Sequence, residues 1–168
     1  MSHPLVVALF ANATSAATAA RELRGLGVAR EQVSIVARSH DEEGALARAS
    51  GASPGSEIED SAGASRLGEL GGHLLAAIAL VMPGIGPIVA DGPLAAGLGE
   101  AAGHLAGGIA RTLHAAGLPK DEADAWEADI ERGAFLVGAH VTPDLVDATR
   151  AVLERAGAAR VAAGSWDE

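Results

Sequence analysis

Apolar positions along the chain alternate between strand-like runs and helix-like spacing. Leu5-Val6-Val7-Ala8-Leu9-Phe10 is a short β-type run, and Asn12-Ala13-Thr14-Ser15 supplies turn and N-cap chemistry after it. Ala16, Ala20, Leu23 and Leu26 then recur on one helical face that Gly25 or Gly27 ends, and Val33-Ser34-Ile35-Val36-Ala37 is a second strand. The order returns near the C-terminus. Ala134 to Val141 is a strand ending at His140, where capping or solvent exposure is expected of the histidine. Thr142, Pro143 and Asp144 open a helix carrying Leu145, Val146, Thr149, Val152, Leu153 and Ala156. Gly157 closes that helix, Arg160-Val161-Ala162 is a short last strand, and Ser165-Trp166-Asp167-Glu168 reads as a tail.

Two βαβ units of this size predict an α+β fold, a ferredoxin-like split βαβ sheet covered by helices on one face. The other face is then solvated or covered by something else, and the candidate cover lies between the halves. We read one domain over residues 1–168, with a βαβ half at 4–38, a polar loop at 39–62, a Gly/Ala-rich helical hairpin at 63–117 and an αβαβ half at 118–163. The loop is rich in Ser, Gly and acids, with room for one short helix at 42–49. In the hairpin, Leu67, Leu70, Leu74, Leu75, Ile78 and Val81 predict a first helix that Pro83 must terminate. PGIGPIVADGP predicts the turn, with Pro83, Gly84, Gly86 and Pro87 at its centre, and Leu94 to Leu113 predicts the return helix. A further helix starts at Leu118-Pro119-Lys120, uses Ala123, Trp126 and Ile130 as apolar positions and stops at Gly133.

The glycine spacing adds a functional expectation. Gly99, Gly103 and Gly107 recur every fourth residue, a glycine-zipper pattern that strips one helix stripe of side chains, and Gly68 and Gly72 offer a matching stripe on the first arm. An interior helical glycine costs about 1 kcal/mol relative to alanine, so several together call for a compensating close contact. We therefore expect these five glycines to serve helix packing and self-association, giving a homo-oligomer of at least two copies.

Composition narrows the remaining classes. Apolar residues make up 49% of the 168-residue chain but aromatics only 2%, so the core is built from Ala, Val and Leu and gains by close approach. The formal net charge is −10 with no Lys/Arg cluster, which argues against nucleic acid as a partner. The absence of cysteine removes disulfides, thiolate metal sites and a cysteine nucleophile. His3, His40, His73, His104, His114 and His140 show no metal-ligand spacing, so neither a metal nor a cofactor is expected. Gly84-Ile85-Gly86 lacks the strand that a dinucleotide fingerprint needs, no serine sits in a nucleophile elbow, and no enzyme signal emerges. The first residues lack a basic leader pattern, so a cytoplasmic, acidic protein is expected. The uncharged run Leu74 to Ala90 reaches the lower length limit for a membrane span, but prolines and glycines break it.

ATAARELRGLGVAREQVSIVAR with its acidic loop, VMPGIGPIVADGPLAAGLG and LPKDEADAWEADIERGAFLVGAHV resemble bacterial general stress proteins that carry a heat-induced stress protein domain of the YflT type. The resemblance runs from Leu5 to Val161, with PGIGP and the glycine-rich block as its most specific part. It implies a role in general stress responses and carries over no catalytic residue. The expected function is thus a non-enzymatic stress-response protein, a structural or interaction module acting through homo-oligomerisation with the Gly-rich hairpin as packing element. One alternative is a peripheral membrane-associated stress protein whose apolar hairpin contacts lipid. A second is a small-ligand-binding ferredoxin-like domain.

Overall fold

The computed structural model describes residues 2–38, 78–82, 86–101 and 108–167. Among the described residues six strands form one sheet: β1 (Ser2–Phe10), β2 (Val33–Arg38), β3 (Ile78–Met82), β4 (Gly86–Asp91), β5 (Phe135–His140) and β6 (Arg160–Asp167). The spatial order is β3-β4-β2-β5-β1-β6 and every neighbouring pair is antiparallel. The described α-helices are α1 (Ala13–Gly25), α2 (Pro93–Ala101), α3 (Gly108–Ala115), α4 (Lys120–Glu131) and α5 (Val146–Arg155). The chain is a mixed helix and strand fold.

Side chains alternate across a strand, so each strand sorts its apolar residues to two faces. Val6, Ala8 and Phe10 join Ile35, Val137 and Ala139 in one core beneath α1 and α5, including Ala16, Ala20, Leu23, Val152 and Leu153. Leu5, Val7 and Leu9 join Val36 and Leu136 in the opposite core, with Leu94 and Leu98 of α2, Ile109 and Leu113 of α3, and Trp126 and Ile130 of α4. Both faces are covered, giving three layers. The second face is therefore not bare; α2 and α3, from between the two halves, and α4, which opens the second half, supply the cover. Full burial of a side chain the size of Leu or Phe contributes about 1.5–3 kcal/mol, which explains why neither face stays open.

The segments flanking the sheet's centre follow the sequence closely. Asn12 Oδ1 accepts from Ser15 N–H at 2.8 Å and caps α1. Thr142 makes no such cap; Pro143–Leu145 forms a 3₁₀ turn and α5 begins only at Val146. The last strand is longer than expected. Ser165-Trp166-Asp167 is no tail but the end of β6, aligned with Ser2-His3-Pro4 of β1. His140 is likewise not exposed: it is 7% exposed and meets the Trp166 ring edge-on, with centroids 5.9 Å apart.

The middle of the chain departs most from expectation. Ile78–Met82, assigned above to the first helical arm, is strand β3, and Gly86–Asp91, assigned to a turn, is strand β4. The described part of the hairpin's first limb is thus a β-hairpin in which Gly86 lies opposite Met82 and Pro87 opposite Val81. Short apolar runs fit a strand as well as a helix, and β-branched Ile78, Val81, Ile88 and Val89 favour the strand. Pairing of β4 along β2 satisfies main-chain groups that an isolated helical turn would have left unpaired. The return limb is helical, as α2 and α3. Pro83, Gly84, the polar loop 39–62, and Gly68, Gly72, Gly103 and Gly107 lie outside the described residues.

Close approaches fix the periphery. A Cβ on Gly164 of β6 would run into the Ala116 carbonyl oxygen, the same oxygen that accepts the Ser165 N–H at 2.9 Å. Gly25, at the exposed end of α1, has no atom within 4 Å of a built Cβ. Gly164→Ala should therefore lower stability by about 1–3 kcal/mol, whereas Gly25→Ala should raise it by about 0.4–1 kcal/mol. Urea unfolding of both variants checks the pair, and the opposite ordering would contradict these contacts.

Candidate functional site

Two places in the fold gather the residues that could act. The first is the seat of α2 on the sheet. Ser34 of β2 is fully buried, and its Oγ accepts the Leu94 N–H at 3.1 Å, so a strand residue caps a helix N-terminus 60 positions away. Gly138, opposite Val7 on β5, leaves room for Leu94, whose Cδ1 would lie 3.1 Å from a built Cβ. Farther along α2, a Cβ at Gly97 would fall 2.9 Å from Trp166 Cη2 and 3.1 Å from Thr112 Cγ2. Gly97 is therefore where α2 admits both α3 and the end of β6.

Of the five glycines expected to pack helices, only Gly99 falls in a described element, α2. Gly97 and Gly99 differ by about 200° around a helix, so they face nearly opposite ways. Gly97, one glycine that makes a close contact, lies outside the four-residue spacing. Its signal was present in the sequence only as one more glycine in PLAAGLGEA.

The second place is the C-terminal end of α4. Gly133, at φ +107°, closes the helix with its own N–H on Ile130 O, while Ala134 N–H reaches Asp129 O at 3.0 Å. Arg38, at the end of β2, donates Nη1–H to Glu131 O at 2.6 Å. Asp129 sits between two guanidinium groups, with Oδ1 3.3 Å from Arg132 Nη1 and Oδ2 3.3 Å from Arg160 Nε. Asp129, Arg132, Gly133 and Arg160 border a half-open cleft of about 450 Å³ formed with Leu9, Phe10, Ala11, Ala134 and Ala159.

Other polar groups have structural partners. Glu127 Oε2 accepts Ala110 N–H at 2.8 Å and so caps the start of α3 from α4. His114 Nδ1 contacts Leu118 O at 2.8 Å. The Lys120 ammonium is raised above the usual lysine range, first by its hydrogen bond to Asp124 and then by that carboxylate's charge. It is protonated at neutral pH with or without the shift, so the pair is an exposed helix contact of little energetic weight. Among the described residues no group of three His, Asp or Glu side chains is placed to hold a metal ion.

No protein-family model, curated protein or solved structure matches the chain. The site must be read from its own geometry.

Among the described residues no helix is long and apolar enough to cross a membrane, and the described parts of the apolar run 74–90 are β-strands. Gly97→Val should destabilise the fold by about 1–3 kcal/mol, because the Trp166 ring and Thr112 methyl would have to move. Ser34→Ala should cost about 1 kcal/mol by uncapping α2. Thermal unfolding checks both; a Gly97→Val protein that melts as the parent does would remove the α2 seat from the account.

Proposed function

We propose that the protein is a non-enzymatic stress-response module built on a ferredoxin-like sheet, acting as a structural or interaction element through homo-oligomerisation. The ferredoxin-like reading is supported by the four strands β2-β5-β1-β6, all antiparallel, in which α1 links β1 to β2 and α5 links β5 to β6. The stress-response part rests on the resemblance of the sequence blocks given above. The structural role draws support from Ser34 and Glu127, whose side chains cap helices.

One observation carries self-association: the two edges of the sheet differ. The β6 edge is blocked where Ser165 N–H meets Ala116 O, and it ends in Arg160 and Asp167. The β3 edge pairs with β4 alone among the described strands and reads IALVM, without a charge. Uncharged apolar edge strands are templates for pairing with another chain. Two β3 strands related by a two-fold axis would join antiparallel and continue the sheet from one copy into the next. With both sheet faces covered inside one chain, this edge replaces the bare face as the surface for a second copy.

Light scattering on tag-free protein at micromolar concentration should give a mass of at least a dimer. Ala79→Lys, which places a charge in β3, should yield the monomer mass with the parent's melting behaviour. A parent protein that is a monodisperse monomer would overturn the proposal.

A further inference from the structure

The cleft at the end of α4 is unlike the rest of the chain in its charge. The chain carries −10 overall, yet this cleft is bordered by two arginines and one carboxylate. The helix C-terminus beside it would add partial negative charge, but a third arginine, Arg38, donates to Glu131 O there. Arg132 and Arg160 line the cleft, with Asp129 as their one counter-ion among the described residues.

Asp129 shows what the pair can hold. One carboxylate receives both guanidinium groups at once, one on each oxygen, at 3.3 Å. Each guanidinium has five N–H donors, and these contacts engage one nitrogen of each. Arg132 and Arg160 remain 76% and 47% exposed, so their other donors are within reach of a second oxyanion. Next to them the cleft presents the accessible Ala11, Ala134 and Ala159 over the buried Leu9 and Phe10, and its volume of about 450 Å³ lies within the roughly 300–1,000 Å³ of small-molecule sites.

We infer that this cleft binds a small oxyanion carried on an apolar body, a carboxylate or a phosphate monoester, with Arg132 and Arg160 as its donors. The apolar body rests on Ala11, Ala134 and Ala159, and the oxyanion shares the guanidinium groups with Asp129. The site is independent of the β3 edge, and its failure would leave self-association untouched.

The test is a titration followed by amide NMR on the full chain, with benzoate, phenyl phosphate and neutral benzyl alcohol as probes. Benzoate or phenyl phosphate should shift the Ala11, Gly133, Ala134 and Ala159 amides in a saturable way, and benzyl alcohol should not; which anion binds more tightly separates carboxylate from phosphate ligands. Arg160→Gln should weaken binding roughly tenfold through loss of a charge-assisted contact, and Arg132→Gln, at an exposed helix end, repeats the test without touching the sheet. Asp129→Asn should tighten binding, because it removes the competing carboxylate; a purely structural ion pair would give no gain. Absence of saturable shifts, equal shifts with benzyl alcohol, shifts centred elsewhere, or no tightening in Asp129→Asn would each overturn the assignment.

Discussion

Strands β1 and β5 run through the middle of the sheet with every residue from Leu5 to Phe10 and from Phe135 to His140 buried. An antiparallel sheet with one solvated face alternates apolar and polar residues, whereas these two strands are apolar toward both sides. That double burial is the constraint from which the architecture follows. Helices α1 and α5, which connect β1 to β2 and β5 to β6, can cover one face only. The second face needs another layer, and the chain provides it as α2, α3 and α4.

The attachment of that layer explains several otherwise unrelated small residues. Ser34 offers a hydroxyl to the first turn of α2, Gly138 gives Leu94 its space, and Gly97 receives Trp166 and Thr112. The Trp166 ring also meets His140 of β5, so one side chain at the end of β6 touches the sheet and α2 together. In a chain this poor in aromatics, a single indole joins two layers. The turn after α3 then closes over β6 through Ala116 O, protecting one sheet edge and leaving β3 as the other.

Much of this was legible in the residues. The two βαβ halves, the Asn12 cap, the Gly133 stop and the apolar face Ala123-Trp126-Ile130 follow from spacing and cap chemistry. The second layer was legible too: LVVALF is six consecutive apolar residues, the signature of a strand covered on both faces. The β3-β4 hairpin was not, because IALVM and GPIVAD suit either a helix end or a turn until β2 offers them a partner. Gly97 and Trp166 were missed for a related reason. Their meaning lies in a contact across about 70 positions of sequence, which no local period encodes. The arginine cleft escaped likewise, since Arg132 and Arg160 belong to different elements and meet at Asp129 only when the end of α4 and β6 are assembled.

The central claim is that the second face is covered by helices of the same chain, held down where Trp166 enters α2. Amide hydrogen exchange of Trp166→Ala tests it most directly. The account predicts that Leu98, Ile109 and Leu113 lose protection while Leu23 of α1 and Leu153 of α5 keep theirs, because only one layer is released. Unchanged exchange in α2 and α3, or an equal loss of protection in both layers, would contradict it.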